Sequence, residues 1–93
     1  MDIKYKIEYH QLVAREDVPS LSEELGIRIK ESVENKLTTY PEIYGKPLRY
    51  SLKGYRKLRV GDYRVVFGVQ KNVVKILAIK HRENIYKTQR QDF

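Results

Sequence analysis

Cysteine and tryptophan are absent from this 93-residue chain, and histidine occurs only twice. The first absence excludes a disulfide scaffold, a thiol enzyme and every cysteine-type zinc site. His10 and His81 stand far apart in sequence, so no metal site is expected; no cofactor is expected either. No apolar run approaches the roughly 20 residues of a membrane-spanning helix. The opening MDIKYKIEYH alternates charge with apolar residues where a signal peptide would carry an apolar core. A cytoplasmic protein without membrane contact is the expectation. Proline and glycine are sparse, at three and five residues, and there is no repeat or low-complexity tract to mark a linker. One folded domain over residues 1–93 is therefore expected.

Positive charge is plentiful and unevenly placed. The formal net charge is +7. Residues 1–45 carry six Lys or Arg against nine Asp or Glu, whereas residues 46–93 carry thirteen against three. Such a split favours a polyanion for the C-terminal half, because clustered cations release counterions from phosphates and steer the encounter. A merely soluble, lysine-rich surface is the alternative. The carboxylates Glu23, Glu24, Glu31, Glu34, Glu83 and Asp92 form no paired arrangement suited to acid–base work and read as solvated.

Ile3, Tyr5, Ile7 and Tyr9 alternate with charged residues, which predicts a half-buried strand over residues 3–9. A short helical piece follows over residues 10–17 and should stop before Pro19, since the residue preceding a proline is pushed out of the helical region. Ser20 then opens S-L-S-E, a capping box in which its hydroxyl and the Glu23 carboxylate satisfy two free amides. Leu21, Leu25, Ile29, Val33 and Leu37 give that helix an apolar stripe as far as Thr38. Gly26 within it predicts close packing on a flat surface such as a sheet. Residues 40–54 read as irregular. Three strands complete the chain, at 55–60, 63–70 and 73–81, joined by the two-residue turns Gly61-Asp62 and Lys71-Asn72. A single helical turn or a frayed tail ends it. The fold class is α+β: an N-terminal strand, two helices, then a mostly antiparallel three-strand meander.

Directly paired residues project from the same face of a sheet. With Gly61-Asp62 as the turn, Val60 meets Tyr63, Arg59 meets Arg64, Leu58 meets Val65 and Lys57 meets Val66. One face is then apolar, with Leu58, Val60, Tyr63, Val65 and Phe67. The other carries Lys57, Arg59, Arg64, Val66 and Gly68. A two-residue second turn would set Val66 against Leu77 and Arg64 against Ile79, bringing His81 onto the cationic face. Arg59 opposite Arg64 is a repulsive pair. Either both side chains splay into solvent towards carboxylates elsewhere, or the face binds an anion, and the second accounts better for the pairing. Gly68 there leaves room for a ligand or relieves strand twist.

The helices followed by YGKPLRYSLKGYRKLRVGDYRVVF and VVKILAIKHRENIY closely resemble the RelE/ParE superfamily of bacterial and archaeal toxins from toxin–antitoxin pairs. The most specific parts are Leu52 to Arg64 and His81 to Tyr86, and the resemblance covers nearly the whole chain. It implies a small sheet flanked by two N-terminal helices and a cognate antitoxin partner. For the RelE-like branch it also implies a domain that enters the ribosomal A site and cleaves mRNA. The reaction there is attack of a ribose 2′-hydroxyl on the adjacent phosphate, without a metal. By position, Arg64 looks like the family's phosphate-stabilising arginine and Lys57 like the basic residue of the preceding strand. Arg82 lies in the family's basic C-terminal stretch, and Tyr86 matches its terminal tyrosine. Arginine's rigid fork suits two phosphate oxygens. His81 offers an imidazole that exchanges protons near neutrality, and Tyr86 a phenol for proton transfer or for stacking on a base. Arg56, Arg59, Lys80 and Lys53 are the expected RNA contacts. Tyr55 stands where some ribosome-dependent members carry another lysine. The alternatives are a ParE-like inhibitor of DNA gyrase and an inactive member that only binds antitoxin.

Overall fold

The computed structural model describes residues 4–90; Ile3 and Asp92 lie outside them. Five strands form one sheet in the order β1-β5-β4-β3-β2. β1 (Lys6–Tyr9) runs parallel to β5 (Val73–His81), with Lys6 beside Val73 and Tyr9 beside Ile76. β3 (Arg56–Val60), β4 (Tyr63–Gln70) and β5 make the expected antiparallel meander. The β3–β4 register matches the sequence reading pair for pair, from Val60 opposite Tyr63 to Lys57 opposite Val66. Gly61 supplies the φ of +60° that the turn requires and that a side chain would resist. The sheet has two strands beyond the meander. Besides β1, the two-residue β2 (Lys46–Pro47) pairs with β3 at the far edge. Pro47 is tolerated there because an edge strand leaves one side of its backbone unpaired.

The helices differ from expectation at both ends of Pro19. Helical backbone continues through it, as a wide turn over Val13–Asp17 and a tight turn over Val18–Ser20. Proline suits the first turn of a helical segment, whose amides lack acceptors in any case. Because the tight turn takes Ser20, whose hydroxyl donates to the Asp17 carbonyl (2.6 Å), the helix cap moves two residues on. Ser22 Oγ accepts from the Leu25 amide (3.2 Å) and opens α1 (Glu23–Ser32). The helical path runs on through Val33–Leu37. A short α2 (Pro41–Tyr44) precedes β2.

Ile29, Val33 and Leu37 of the apolar stripe are buried against Leu58, Val60, Val65, Phe67, Val74, Ile76 and Ile79, with Leu21 and Leu25 packed at the margin. Gly26 is not part of that contact. A Cβ there would meet nothing within 4 Å, and the residue borders an apolar groove also lined by Val13, Val18 and Ile27. The close approach to the sheet is made by Gly45 instead, where a Cβ would lie 2.4 Å from Phe67 Cζ.

A bulge corrects the β4–β5 register. Phe67 pairs with Ile76 and Val66 with Ala78, so Leu77 has no partner on β4. Without that extra residue Ile79 would face outward and Lys80 inward. With it, Ile79 is 4% exposed in the core, and burial of an isoleucine costs nothing comparable to burial of an unpaired ammonium. Leu77 and Ala78 join Val66, Leu48, Leu52 and Ile85 in a second apolar cluster on the other side of the sheet. The loop after β2 and the C-terminal turn Ile85–Lys87 therefore cover part of the second face. Gly68 on this face does not border open space: the Tyr55 ring lies 3.3 Å from where its Cβ would be.

Past the end of β1, the edge of β5 is closed by side chains. Asp17 Oδ2 accepts from the Ile79 amide (2.8 Å), and Arg90 donates to the Leu77 carbonyl (3.0 Å). Arg90 grips the Asp17 carboxylate with two nitrogens, each at 2.7 Å. Both side chains are almost wholly removed from solvent, Asp17 at 0% and Arg90 at 5% exposure. Burial alone pushes the Asp17 carboxyl up, but the Arg90, Ile79 and Lys80 hydrogen bonds and the Arg90 charge bring it below the ordinary carboxylate value. The same partnership raises Arg90.

Candidate nucleic-acid interface

Two adjacent rows of residues across the sheet carry the positive face. Lys46, Lys57, Val66 and Ala78 make one, and Arg59, Arg64 and Lys80 the next. Sheet geometry sets neighbouring strands about 4.8 Å apart and the two rows about 7 Å apart, so five cations share a patch of nucleotide dimensions. Neither row contains a carboxylate. The Leu48, Leu52 and Ile85 lid covers Val66 and Ala78, leaving Arg59 exposed and Lys57, Arg64 and Lys80 partly so.

Arg64 is the most constrained of these cations. Its guanidinium donates to the Gly61 and Tyr63 carbonyls, each at 2.9 Å, which holds the fork against the β3–β4 turn. Burial, then the charges of Arg59 and Arg82, lower its pKa, with Asp62 offsetting in part. Arg59 and Arg82 thus both repel Arg64 at one corner. Among the described residues none of the three forms an ion pair. A bound phosphate would relieve that repulsion, and arginine binds phosphate oxygens in pairs. Arg82 reaches the corner because its amide donates to the Asp62 carbonyl (2.8 Å), tying the segment after β5 to the turn. Four residues on, Tyr86 is 43% exposed and its ring stands edge to face with Tyr50, centroids 5.8 Å apart.

Lys57, Arg59, Arg64 and Lys80 share the face, and Arg82 joins them at its corner. Lys80 is divided in its loyalties, since its ammonium lies 3.1 Å from Asp17 Oδ1. Lys53 is exposed but sits in the loop beside Tyr50 rather than on the sheet. Two of the expected residues stand apart from this face. Arg56 pairs with Phe67 and so projects from the opposite face, where it donates to the Gly45 (2.8 Å) and Glu42 (3.3 Å) carbonyls and pins the loop before β2. His81 pairs with Tyr63, not with the Arg64 row, because of the bulge. Its ring packs edge to face on Tyr63 at 5.6 Å, and Nδ1 accepts from the Glu83 amide (3.2 Å). The imidazole closes a turn at the strand end.

Three participants escaped the sequence reading. Lys46 joins the patch only because β2 pairs with β3, and a two-residue strand shows no periodicity. Tyr50, at 80% exposure and with a φ of +57°, lay in a stretch read as irregular. Arg90 has no local signal at all, its partner Asp17 being 73 residues away.

A family model described as the ParE toxin of the type II toxin–antitoxin system parDE matches residues 5–86. The chain is 34% identical over 84 residues to Toxin RelE of Mycobacterium tuberculosis, covering 85% of this chain and 87% of that protein. It is 33% identical over 76 residues to Toxin RelG of the same organism, covering 80% and 87%. Among solved structures, the toxin–antitoxin complex RelBE2 from M. tuberculosis contains a chain that superimposes with a TM-score of 0.79 at 28% identity, covering 88% of this chain and 98% of that one. Matched along nearly its whole length by model, relatives and fold alike, this chain belongs to the RelE/ParE family of toxins from type II toxin–antitoxin systems.

Proposed function

We propose that this toxin is a ribosome-dependent endoribonuclease that cuts mRNA, blocks translation and is silenced by a cognate antitoxin. The observation that carries the reading is the corner where Arg59, Arg64 and Arg82 meet without ion-pair partners among the described residues. In the reaction a ribose 2′-oxygen loses its proton and bonds to the adjacent phosphorus. The bond from phosphorus to the 5′-oxygen breaks, and that oxygen takes up a proton. A 2′,3′-cyclic phosphate and a 5′-hydroxyl result. Extra negative charge collects on the phosphate oxygens in the transition state, where preplaced donors act most strongly. Arg64, already oriented by the Gly61 and Tyr63 carbonyls, and Arg82 supply those donors. Lys57, Lys46 and Arg59 hold the flanking backbone. Tyr86 stands over the same face as the ionisable side chain for proton transfer or as a stacking surface.

The antitoxin partner is supported by the structural neighbour, which is a toxin–antitoxin complex. Inhibition of DNA gyrase is the second reading, favoured by the ParE description of the matching family model. Production of the toxin without antitoxin, with mapping of mRNA 5′ ends beside a supercoiling assay, separates the two. Codon-phased cuts are expected, absent for Arg64→Ala. Intact mRNA with lost supercoiling would overturn the ribonuclease reading. Cleavage by Arg64→Ala at the wild-type rate would remove that arginine from the chemistry.

A further inference from the structure

Tyr50 combines three properties that stability alone does not explain. Its backbone takes a left-handed conformation (φ +57°), which a side chain with a Cβ resists. Its ring is 80% exposed, so little apolar burial repays that strain. The turn that holds it is nonetheless firmly seated: Leu48 and Leu52 on either side are 5% and 3% exposed in the second cluster, and the Lys53 amide donates to the Tyr50 carbonyl (3.0 Å). A strained, exposed aromatic on a rigid mount is a feature found at ligand clamps.

The surroundings indicate the ligand. The Tyr50 and Tyr86 rings meet at 76°, so together they make an inside corner with two walls. A planar ring can stack on one wall while its edge rests on the other. Arg49 and Lys53 beside Tyr50, and Lys87 beside Tyr86, are all exposed, and Lys57 emerges on the sheet next to the lid that carries both tyrosines. An aromatic corner bordered by cations is the arrangement that binds unpaired nucleotides, stacking on the base and charge on the backbone.

We infer that Tyr50 and Tyr86 form a nucleobase-binding corner in which Tyr50 contributes the outer wall, holding an unstacked base of single-stranded RNA next to the phosphate at Arg64. Tyr50 is then a specificity-determining residue, since the fit of the base between two rings favours some bases over others. This inference rests on the ribonuclease reading, and it concerns positioning of the substrate rather than the chemical step.

The test uses Tyr50→Asn, which removes the ring while keeping a residue that tolerates left-handed backbone, and Tyr50→Phe, which keeps the stacking surface. Cleavage of ribosome-bound mRNA is followed over a panel of A-site codons. Binding is followed with a non-cleavable 2′-O-methyl oligonucleotide carrying 2-aminopurine, whose fluorescence is quenched on stacking. Tyr50→Asn should weaken binding and kcat/KM by roughly 5- to 150-fold, the range measured for loss of one aromatic–base stack. It should also flatten the codon preference and leave the melting temperature unchanged or higher. Tyr50→Phe should stay within about threefold of wild type on the same scale. Wild-type cleavage and quenching unaltered in Tyr50→Asn would overturn the corner while leaving the ribonuclease reading intact. Absence of RNA cleavage by the wild type would overturn both. Antitoxin binding lost in Tyr50→Asn with cleavage preserved would assign the corner to a protein partner and overturn it as a base site.

Discussion

Removal of the Asp17 carboxylate should damage this fold more than any surface substitution. In Asp17→Ala the Ile79 amide loses its acceptor, and the Arg90 guanidinium, 5% exposed, loses its counter-charge. An orphaned buried amide costs about 1–3 kcal/mol, and breaking a buried ion pair from one side costs about 3–5 kcal/mol in all. For a chain of 93 residues the whole stability is of order 5–14 kcal/mol, so about a fifth of it or more is at stake. At roughly 4–8 °C per kcal/mol for a domain of this size, the melting temperature should fall by at least about 12 °C. Circular dichroism at pH 7 measures it directly. In the double variant Asp17→Leu/Arg90→Met no charge is left stranded, so it should melt above either single variant. The dependence on pH has a definite sign. Because Asp17 titrates below its ordinary value when folded, its contribution is complete above the unfolded carboxylate pKa of about 3.9 and is lost as pH falls through the folded value. The gap between wild type and Asp17→Asn should therefore narrow in acid. A fall of less than about 4 °C in Asp17→Ala, equivalent to at most 1 kcal/mol, would refute the argument, as would strict additivity in the double variant.

Gly45→Ala should cost about 1–3 kcal/mol in urea unfolding with an unchanged slope, because its Cβ would fall 2.4 Å from Phe67 Cζ in a fully buried ring; an unaffected midpoint would show that the ring can move aside. Ser22→Ala should lower stability by about 1 kcal/mol, read as a melting shift, since it removes the acceptor for the Leu25 amide. His81→Gln should keep RNA cleavage within about threefold, the scale expected when no general acid or base has been lost; a hundredfold loss would return the imidazole to the chemistry.

The fold is legible in the sequence where alternation is unbroken. Arg56 to Phe67 places a charged or polar residue at nearly every second position around a two-residue turn, so the register of β3 with β4, and with it the grouping of Lys57, Arg59 and Arg64, could be read directly. The fold is not legible at Ile76-Leu77-Ala78-Ile79, where four apolar residues in a row give no sign of which one bulges. That single ambiguity misplaced His81 and hid the placement of Lys80 opposite Arg64. Arg56 has the charge expected of an RNA contact, whereas its register opposite Phe67 sets it on the other face. Ser20 looked the better cap because Glu23 completes a capping box, but the tight turn at Pro19 uses its hydroxyl first. The contacts of Arg90 and of Lys46 depend on tertiary pairing, and no local pattern encodes either.

The place of β5 in the sheet governs when the toxin can come into being. Lying between β1 and β4, it is the shared partner of the first strand and the penultimate one, yet it follows both in chain order. While the ribosome is still making it, the nascent β1 has no neighbour to bond with, and the bond from Arg90 that fixes the edge comes later still. Assembly of the sheet is therefore deferred until β5 has emerged, and a translation product terminated before it has no completed sheet on which to display its guanidinium groups.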